Sequence, residues 1–453
     1  MTARLDADLA AIVGPRGILA PEDQPVPPWN TRQPFQGRYI VAPATVADLS
    51  HVLSACHAAN QPVVPLGGVT GLVQGCATRA GDVGLSLMRL DRIEEVDPIA
   101  QTMTAEAGVT LRRAQDAASG AGLYFPIDIG ARDACTLGGN ASTNAGGTRV
   151  IRYGMLRDNL LGLEAVLADG TVISSMNRYL KNNSGYDLKQ LFVGSEGTLG
   201  VISRLVVRLD TAPASRQVAM LTARQYPDVV SALRKLRGRL SGRLCGFEVM
   251  WDSFFRRATQ PVGRLASPFS EPHNYYVIVE AVGQEPEADQ ASFEAALSSL
   301  LEEGLIDDAV IAQSERESEA LWSIRHEVEW LVRDARNFDV SLRIADAGGF
   351  VDTLVQRLEK ESPGSELAAF GHLGDNNIHL AVLGGESECV ERAVYESLAP
   401  YKGAISAEHG IGLEKRAWLG VSRSQAEIDL MASLKTALDP RGILNPGKVL
   451  ADP

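Results

Sequence analysis

The chain of 453 residues is long enough for two or three domains with a large buried core. Its 45% hydrophobic and 22% charged residues are usual for a globular protein, while its formal net charge of −13 argues against nucleic-acid binding, which needs a basic surface. No apolar run has the length of a membrane span and the first residues lack a secretory signal pattern, so we predict a cytoplasmic protein without a transmembrane segment.

The first 36 residues are predicted to form an N-terminal arm, in which a short amphipathic helix precedes a proline-rich stretch. A strand at RYIVAP, a helix capped by Thr45 and a second apolar strand follow, and together they predict a small α/β unit. The second strand runs into a first glycine loop, PLGGVTGLVQG (65–75). This loop has neither Rossmann nor Walker spacing, so its own N–H groups would have to bind any phosphate.

Further strands are predicted at GLSLMRL, RIEEVD and TMTAEAGV, with a helix from Thr110 to about Ser119. The next unusual segment is GGNASTNAGG (138–147), whose glycines and asparagines favour neither a helix nor a strand. It predicts a loop whose unshielded N–H groups contact an anionic or flat ligand. Two glycine loops in one domain indicate a long ligand that contains a diphosphate.

The segment LLGLEAVLADGTVISS (160–175) predicts a hairpin that turns at Ala-Asp-Gly. A third glycine cluster, GSEGTLG (194–200), follows, and the sequence leaves open whether it is a simple turn or a ligand contact. From about Pro213 apolar strands alternate with amphipathic helices, which predicts a second domain with an antiparallel sheet.

Two histidines of a late hairpin and a later carboxylate form a candidate metal site. The segment AAFGHLGDNNIHLAVL predicts a hairpin with a two-residue turn at 375–376, which places His372 directly opposite His379 on one sheet face. Glu408 would add a third, harder ligand, and this set suits Zn²⁺, Mn²⁺ or Fe²⁺ with open coordination positions. Spacing alone is equally consistent with a histidine pair that only packs and hydrogen-bonds. His409 would point to the other side of an extended chain, where it could accept a proton from a substrate.

Eight segments occur in an order that resembles one family: PLGGVTG, PIDIGA, GGNASTNAGG, RYG, KNNSGYDLKQLFVGSEGTLG, GHLGDNNIHL, AEHGIG and LNPGK. They resemble the FAD-linked oxidoreductases of the vanillyl-alcohol oxidase type, and within that superfamily the branch of D-2-hydroxyglutarate and D-lactate dehydrogenases. The resemblance extends from about residue 36 to the end of the chain. Eight ordered motifs are far more specific than any one of them.

The resemblance implies that the glycine segments and the C-terminal segment hold FAD. The residues implied as FAD contacts are Pro65, Gly67, Gly68, Val69, Thr70, Gly71 and Gly75 at the diphosphate loop, Pro126, Asp128, Gly138, Gly139, Asn140, Thr143, Asn144, Gly146, Gly147 and Tyr153 around the flavin and ribityl chain, Gly197, Gly200 and Ile202 on the adenine side, and Asn445 at the isoalloxazine edge. Relatives that attach flavin covalently often use a histidine in the first loop. This chain has Val69 there, so noncovalent FAD is expected.

The same resemblance implies a divalent metal ion, with zinc expected first and manganese or iron as alternatives, bound by His372, His379 and Glu408. It implies that the metal polarises the substrate hydroxyl, that His409 accepts the hydroxyl proton and that the α-hydrogen leaves as hydride to flavin N5. Arg325 is the implied partner of the substrate carboxylate. From the sequence alone, Arg325 fits an exposed helix arginine equally well.

Four positions depart from the hydroxyglutarate pattern of the family. Ala381 replaces an asparagine, Asn337 a lysine and Arg343 a proline, and Glu329 stands where another polar residue is expected. These changes leave fewer groups to bind a second carboxylate, although Arg343 could compensate. The general class of 2-hydroxy acids is therefore a firmer expectation than the five-carbon diacid.

The resemblance implies an α+β fold in four parts. These are the N-terminal arm (1–36), an FAD-binding domain of two α/β subdomains (37–213), a substrate domain with an antiparallel sheet covered by helices (214–400) and a small helical C-terminal segment that returns to the flavin (401–453). The expected partners are a small 2-hydroxy acid and a protein or quinone electron acceptor, and a homodimer is left open. Two alternatives also stay open: a flavin oxidase that uses O₂, and a flavin-binding subunit without its own turnover.

Overall fold

The structure, a computed structural model, describes residues 2–24, 35–260 and 265–452, and most of the predicted proline-rich stretch lies outside these residues. The chain forms two compact units. The first unit comprises Met1–Gly146, Gly154–Ala212 and Glu408–Pro453, and the second unit comprises Gly147–Tyr153 and Pro213–Ala407.

Helices and strands alternate irregularly over the first 212 residues. In chain order they are α1 (Thr2–Val13), β1 (Ile18–Leu19), β2 (Ile40–Val41), α2 (Val46–Ala59), β3 (Val63–Leu66), β4 (Val83–Ser86), β5 (Ile93–Asp97), β6 (Thr102–Glu106), α3 (Leu111–Gly120), β7 (Leu123–Tyr124), α4 (Leu137–Thr143), α5 (Val150–Tyr153), β8 (Leu160–Val166), β9 (Val172–Ser175), α6 (Lys189–Phe192), β10 (Val201–Arg208) and β11 (Asp210–Thr211).

Longer strands and helices follow. In chain order they are β12 (Ser215–Ala223), α7 (Tyr226–Arg239), β13 (Leu244–Trp251), α8 (Asp252–Thr259), β14 (Tyr275–Gly283), α9 (Pro286–Glu302), β15 (Asp308–Ile311), α10 (Glu315–His326), α11 (Glu329–Asp334), β16 (Ala335–Ser341), α12 (Ala347–Glu361), β17 (Glu366–His372), β18 (Asn377–Leu383), α13 (Ser387–Leu398), α14 (Leu419–Ser422) and α15 (Gln425–Leu438).

The first unit contains a four-stranded sheet in the order β1-β2-β4-β3, a five-stranded antiparallel sheet in the order β5-β6-β10-β8-β9, and the short pair β11-β7. In the four-stranded sheet, β4 runs parallel to both of its neighbours. Helix α1 packs on this unit through Leu5, Leu9 and Val13, which are buried in its core. The combination of parallel and antiparallel sheets with helices confirms the predicted α+β class.

Short-range sequence signals predicted several elements of the first unit correctly. The hydroxyl of Thr45 accepts a hydrogen bond from the Asp48 N–H at the start of α2, and Thr110 caps α3 in the same way. Strands β8 and β9 form the predicted hairpin, with Gly170 at φ 92° in its turn. Caps and tight turns depend on neighbours in sequence, which is why they can be predicted locally.

The prediction of a loop over 138–147 is wrong for its first half, which is the helix α4. The Thr136 hydroxyl caps this helix by accepting from the Gly139 N–H, and Asn144 ends it in the left-handed region at φ 52°. A Cβ atom on Gly138 would lie 2.6 Å from the Ala107 Cβ atom. Glycine at 138 therefore permits close packing against the segment after β6, a requirement that composition does not show.

The second unit is built on one seven-stranded antiparallel sheet in the order β15-β12-β14-β13-β17-β18-β16. Every residue of β13 is buried, so both faces of the sheet are covered at its centre. Helices α8 and α10 contribute Phe254, Phe255, Leu321 and Trp322 to the apolar cluster on one face. This architecture confirms the predicted antiparallel sheet covered by helices.

Candidate active site

The first glycine loop follows β3 and packs two of its glycines against the segment before α4. A Cβ atom on Gly67 would lie 2.6 Å from the Thr136 hydroxyl oxygen, and one on Gly68 would lie 1.8 Å from the Ala134 carbonyl oxygen. A Cβ atom on Gly71 would meet no atom of the described chain within 4 Å. The loop is thus held on one side and open on the other, a cradle that suits a diphosphate bound by backbone N–H groups.

The polar side chains of α4 and its C-terminus bind other parts of the protein. The Asn140 carboxamide lies 3.6 Å from the Cys135 sulfur, the Thr143 hydroxyl donates to a carbonyl of its own helix, and the Asn144 Oδ1 atom accepts from the Arg157 N–H at 3.0 Å. Their predicted contacts with FAD stay a prediction.

The third glycine cluster forms a turn that packs tightly on its neighbours. Gly197 has φ 71°, and a Cβ atom there would lie 3.1 Å from a Pro65 ring carbon. A Cβ atom on Gly200 would lie 2.7 Å from the Phe192 ring, and Ile202 is buried in β10. These packing roles account for the residues without a ligand, so their assignment to the adenine side stays a prediction.

Glu196, which was not predicted from the sequence, connects the third glycine cluster to the C-terminal part of the chain. Its carboxylate oxygens accept hydrogen bonds from the Ile411 N–H at 2.6 Å and the Gly412 N–H at 2.8 Å. Burial raises the pKa of this carboxyl, and the two N–H groups only partly oppose that effect. An acid between two glycines, as in GSEGTLG, was the available signal.

Asn445 of the C-terminal segment contacts the first glycine loop and the third glycine cluster, and its predicted contact with the isoalloxazine edge stays a prediction. Its side-chain amide group donates to the Gly75 carbonyl oxygen at 3.1 Å and to the Glu196 carbonyl oxygen at 2.7 Å. Its Oδ1 atom is buried and has no hydrogen-bond partner in the part of the chain that the structure describes. An unpaired buried acceptor beside an open glycine loop is what a site for a hydrogen-bonding cofactor requires.

The remaining predicted FAD contacts are divided between the two units. Pro126 is buried in the first unit, where Asp128 pairs with Arg132 at 2.8 Å. Gly147 and Tyr153 belong to the second unit. Val69 adopts a left-handed φ of 53°, which is unusual for a β-branched residue and shows how tightly the first glycine loop is folded.

The predicted pairing of His372 directly opposite His379 is wrong. In the hairpin of β17 and β18, His379 pairs with Phe370, because the turn spans four residues and ends at Asn376 in the left-handed region (φ 78°). The register is shifted by two residues from the prediction, and an even shift keeps both histidines on one face. Their ring centroids are 5.0 Å apart, so the two rings still meet as diagonal neighbours.

A buried carboxylate on the neighbouring strand holds two predicted site residues. Glu248 of β13 pairs in register with His372, and its Oε1 atom lies 2.7 Å from His372 Nδ1. Its Oε2 atom accepts from Arg325 Nε at 2.9 Å. Arg325 is 5% exposed and lies above the Phe370 ring at 4.5 Å, so the alternative of an exposed helix arginine is wrong.

The charge of Glu248 depends on these two partners. Burial by itself would raise the pKa of its carboxyl, but attraction to His372 and Arg325 outweighs burial and lowers that pKa. Glu248 therefore stays ionised in the interior. Glu248 was not predicted from the sequence, although a glutamate inside the apolar strand LCGFEVMW was a signal of a paired buried charge.

Asn377 is a third residue that was not predicted from the sequence. It lies two residues before His379 in β18 and therefore on the same face, and it is 3% exposed. Neither polar atom of its carboxamide has a hydrogen-bond partner among the residues that the structure describes. Such a group is costly to bury unpaired, so its position fits a site that receives a polar ligand.

Glu408 completes a group that could hold a metal ion. Asp339 pairs in register with His379 and accepts a hydrogen bond from the Ala407 N–H at 2.9 Å, which fixes the residue directly before Glu408. One ligand atom each from His372, His379 and Glu408 can be chosen so that all lie within 4.8 Å of one another. Two imidazoles and a carboxylate at this separation fit a divalent transition metal.

His409 follows Glu408 and is half-buried. The backbone just after it is fixed, because Glu196 binds the N–H groups of Ile411 and Gly412. Its role as a base stays a prediction.

Two of the four departures from the family pattern face each other on the sheet. Asn337 of β16 pairs in register with Ala381 of β18, and its carboxamide donates to the Leu331 carbonyl oxygen at 2.7 Å. Ala381 is fully buried in an apolar cluster. Arg343 is exposed and its guanidinium is bound to Asp346 at 2.6 Å.

Two family models match the chain. The description "FAD binding domain" matches residues 37–175, and "FAD linked oxidases, C-terminal domain" matches residues 212–449. Among the described residues, no helix combines the length and the apolar character needed to cross a membrane.

Curated relatives and a solved structure agree with these matches. The chain is 36% identical to a probable mitochondrial D-2-hydroxyglutarate dehydrogenase of Oryza sativa subsp. japonica, over 97% of this chain and 80% of the relative. It is also 36% identical to a putative mitochondrial D-lactate dehydrogenase of Schizosaccharomyces pombe, over 93% of this chain and 83% of the relative. Both names give a mitochondrial location, so they do not support the predicted cytoplasmic one. The structure of p-cresol methylhydroxylase has the same fold, with a TM-score of 0.78 at 16% identity over 100% of this chain and 97% of that chain.

Proposed function

The chain belongs to the FAD-linked oxidoreductases of the vanillyl-alcohol oxidase type, in the branch of the D-2-hydroxyglutarate and D-lactate dehydrogenases, and we propose that it oxidises a D-2-hydroxy acid to the 2-oxo acid. The proposed enzyme uses noncovalent FAD and a divalent metal ion, with zinc as the first candidate and manganese or iron as alternatives. The observation that supports this most is the group formed by His372, His379 and Glu408.

The two histidines and the carboxylate would hold the metal ion and leave coordination positions open. Such an ion, when bound, polarises the substrate hydroxyl and lowers its pKa. The unpaired carboxamide of Asn377, on the same sheet face as His379, offers further hydrogen bonds to a polar ligand there. This part of the site would recognise the oxygen that is oxidised.

Arg325 would bind the substrate carboxylate. Its guanidinium is held at Nε by Glu248 and stacked above Phe370, so its orientation is fixed before a ligand arrives. A guanidinium binds a carboxylate through two parallel hydrogen bonds, which also orients the neighbouring α-carbon.

His409 would accept the proton of the substrate hydroxyl as the α-hydrogen leaves with its electron pair. FAD, when bound, supplies the acceptor for that hydride. The substrate would lose its hydroxyl proton to His409 and its α-hydrogen with the electron pair, so that its C–O single bond would become a carbonyl. The first glycine loop and Asn445 would hold the cofactor in the first unit.

The substrate is proposed at the level of the 2-hydroxy-acid class. Asn337 and Ala381 lie opposite each other where the family pattern has a lysine and an asparagine, and here they present no cation. A second carboxylate of the substrate would lack a charged partner at this point. Monocarboxylic D-2-hydroxy acids are therefore expected to be accepted.

The proposed electron acceptor is a protein or a quinone. The sequence also left open an oxidase that uses O₂. The rate of flavin reoxidation in air, compared with the rate of its reoxidation by a redox dye, distinguishes an oxidase from a dehydrogenase. Fast reoxidation by the dye and slow reoxidation by air is the expected result.

The proposal is tested with a panel of D- and L-2-hydroxy acids, scored by anaerobic bleaching of the flavin near 450 nm with and without a chelator. Bleaching by D-acids only, and its loss after chelation with recovery on adding Zn²⁺ or Mn²⁺, is the expected result. Bleaching that does not respond to the chelator would remove the metal from the mechanism. Absence of bleaching by every acid would favour a flavin-binding subunit without its own turnover.

A further inference from the structure

Glu248 contacts two residues that the proposed function uses for different purposes. Its Oε1 atom lies 2.7 Å from Nδ1 of the candidate metal ligand His372, and its Oε2 atom accepts from Nε of the candidate carboxylate-binding residue Arg325. The side chain is 1% exposed in the middle of β13. One buried carboxylate therefore touches both halves of the proposed site.

The contact with His372 determines which ring nitrogen is available. An ionised carboxylate accepts hydrogen bonds but does not donate them, so a neutral His372 carries its proton on Nδ1. Nε2 then keeps the lone pair that a metal ion requires, and the carboxylate makes the ring a stronger ligand. The His372 ring is nearly perpendicular to the His379 ring, at 86°, so the two rings do not stack face to face.

The contact with Arg325 uses only one edge of the guanidinium. Within the described part of the chain, Nε to Glu248 is the one hydrogen bond that the guanidinium makes. The stacking above Phe370 at 4.5 Å restricts its rotation. Its two terminal nitrogens are then left to bind a ligand carboxylate in the planar geometry that arginine favours.

We propose that Glu248 is a positioning residue that orients the metal site and the carboxylate site together, by holding His372 at Nδ1 and Arg325 at Nε. This inference rests on the proposed function, because it concerns the same two ligands. Its consequence is that the affinity for the metal ion and the affinity for a carboxylate ligand both depend on one side chain that touches neither of them.

Glutamine is the most informative replacement because its side chain has nearly the same shape as that of glutamate, but an amino group replaces one of the two equivalent carboxylate oxygens. Its carboxamide has one acceptor oxygen, which can serve His372 or Arg325 but not both. If its amino group faces His372, the histidine proton moves to Nε2, where it blocks metal binding. Glu248→Asp is the second variant, since it keeps the charge but is one methylene too short to reach both partners.

Glu280→Gln is the matched control. Glu280 is also buried on this sheet, but its partners are Arg216, Arg149 and the Trp322 ring nitrogen, at 2.8, 3.4 and 2.8 Å, and the Cys245 thiol at 3.4 Å. The control thus removes a buried negative charge of the same unit without touching His372 or Arg325. Urea unfolding of every variant measures the general loss of stability.

The experiment uses the full FAD-loaded chain stripped of metal. It measures the Kd of Zn²⁺ and Mn²⁺ by competition with a chromophoric chelator, and the Kd of pyruvate from the change in flavin absorbance. We expect Glu248→Gln to raise the metal Kd about 10- to 100-fold and to raise the pyruvate Kd about 10-fold, with both constants unchanged within about twofold in Glu280→Gln. Should Glu248→Gln not fold, Glu248→Asp is expected to show the same pair of losses.

Two results would overturn the inference, and they differ in whether the proposed function fails as well. A Glu248 variant that is less stable but binds the metal ion and pyruvate with wild-type Kd values would show that Glu248 only stabilises the fold. The proposed metal site would not be contradicted by that result. If the wild-type chain binds neither ion, or binds them equally well after His372→Ala, the metal site fails and this inference fails with it.

Discussion

Three buried glutamates show how neighbouring charges decide the state of a single side chain. Glu248 and Glu280 each face cations, which outweigh burial and lower the pKa of both carboxyls. At Glu196 burial dominates and raises the pKa, although two backbone N–H groups bind the carboxylate. The sequence shows each acid in an apolar or glycine-rich context, but only the folded chain supplies the partners that set its charge.

We predict that Glu280→Gln lowers the free energy of unfolding at pH 7 by about 3 kcal/mol, because it leaves Arg149 and Arg216 beside a neutral buried group. The native pKa of Glu280 is below its ordinary value of 4.5, so its stabilisation is present above about pH 4.5 and is lost as the pH falls through the native pKa. The variant should therefore lose stability less steeply in acid. Urea unfolding between pH 3 and 7 provides the measurement.

The control for this prediction is Glu315→Gln. Glu315 pairs with the same Arg216 at 2.6 Å, but its side chain is 67% exposed. We expect a change below about 0.5 kcal/mol, since exposed pairs are weak. Equal effects of the two substitutions would contradict the argument from burial.

For His409→Ala we predict that FAD stays bound while flavin reduction by the substrate slows by about 100-fold or more, because the proposed base is lost. Anaerobic stopped-flow absorbance near 450 nm measures the rate, and the absorbance ratio at 280 and 450 nm measures FAD content. His51→Ala on the exposed side of α2 is the control and should reduce normally. An unchanged reduction rate in His409→Ala would assign the proton transfer to another group.

Among the elements, α4 shows why glycine content is an ambiguous signal. Its glycines permit close packing of a short helix, whereas the first glycine loop uses Gly71 to stay open. The two segments have similar amino-acid composition, although their glycines serve different purposes. Which one applies depends on what lies within 3 Å of the absent side chain, and that is a property of the packed structure.

We predict that Gly138→Ala lowers the free energy of unfolding by about 1 to 3 kcal/mol, because its Cβ atom would lie 2.6 Å from the Ala107 Cβ atom. The control is Gly120→Ala in the last turn of α3, where a Cβ atom meets no described atom within 4 Å. That variant should be unchanged or more stable by about 0.5 kcal/mol. Urea unfolding of the FAD-free protein measures both, and a neutral Gly138→Ala would show that α4 can shift.

The pair of facing strands β16 and β18 provides a test of substrate class. We predict that Asn337→Lys with Ala381→Asn raises the ratio of kcat/KM for D-2-hydroxyglutarate over D-lactate by about tenfold, because a cation would then be available for the second carboxylate. Steady-state kinetics with a dye acceptor give the ratio. Asn337→Gln with Ala381→Asn is the neutral control, and an equal increase in both doubles would show that charge is not the cause.

For the molecule as a whole, one prediction concerns whether FAD is bound covalently or noncovalently. We predict that acid precipitation releases all FAD into the supernatant, because the first glycine loop has Val69 where covalent relatives often have a histidine. Absorbance near 450 nm of the supernatant and of the redissolved pellet provides the measurement. Flavin that remains with the pellet would show a covalent bond to another residue.

The sequence by itself determined the α+β class, the antiparallel sheet of the second unit, the capped helices α2 and α3, and the meeting of His372 with His379. These features depend on residues close in the chain or on ordered motifs along it. The register of the hairpin of β17 and β18 was predicted wrongly, because the turn is longer than predicted and ends at Asn376 in the left-handed region. The pairing is therefore shifted by two residues.

Only the tertiary structure decided the surroundings of the site. Glu248 and His372 are 124 residues apart in sequence, and Glu248 and Arg325 are 77 residues apart. No local spacing relates them, because they meet only through the pairing of β13 with β17 and the packing of α10 on the sheet. The same packing buries Arg325 and gives Glu248 its charge, since the free energy of a buried ion pair depends on the distances and the dielectric surroundings that the fold creates.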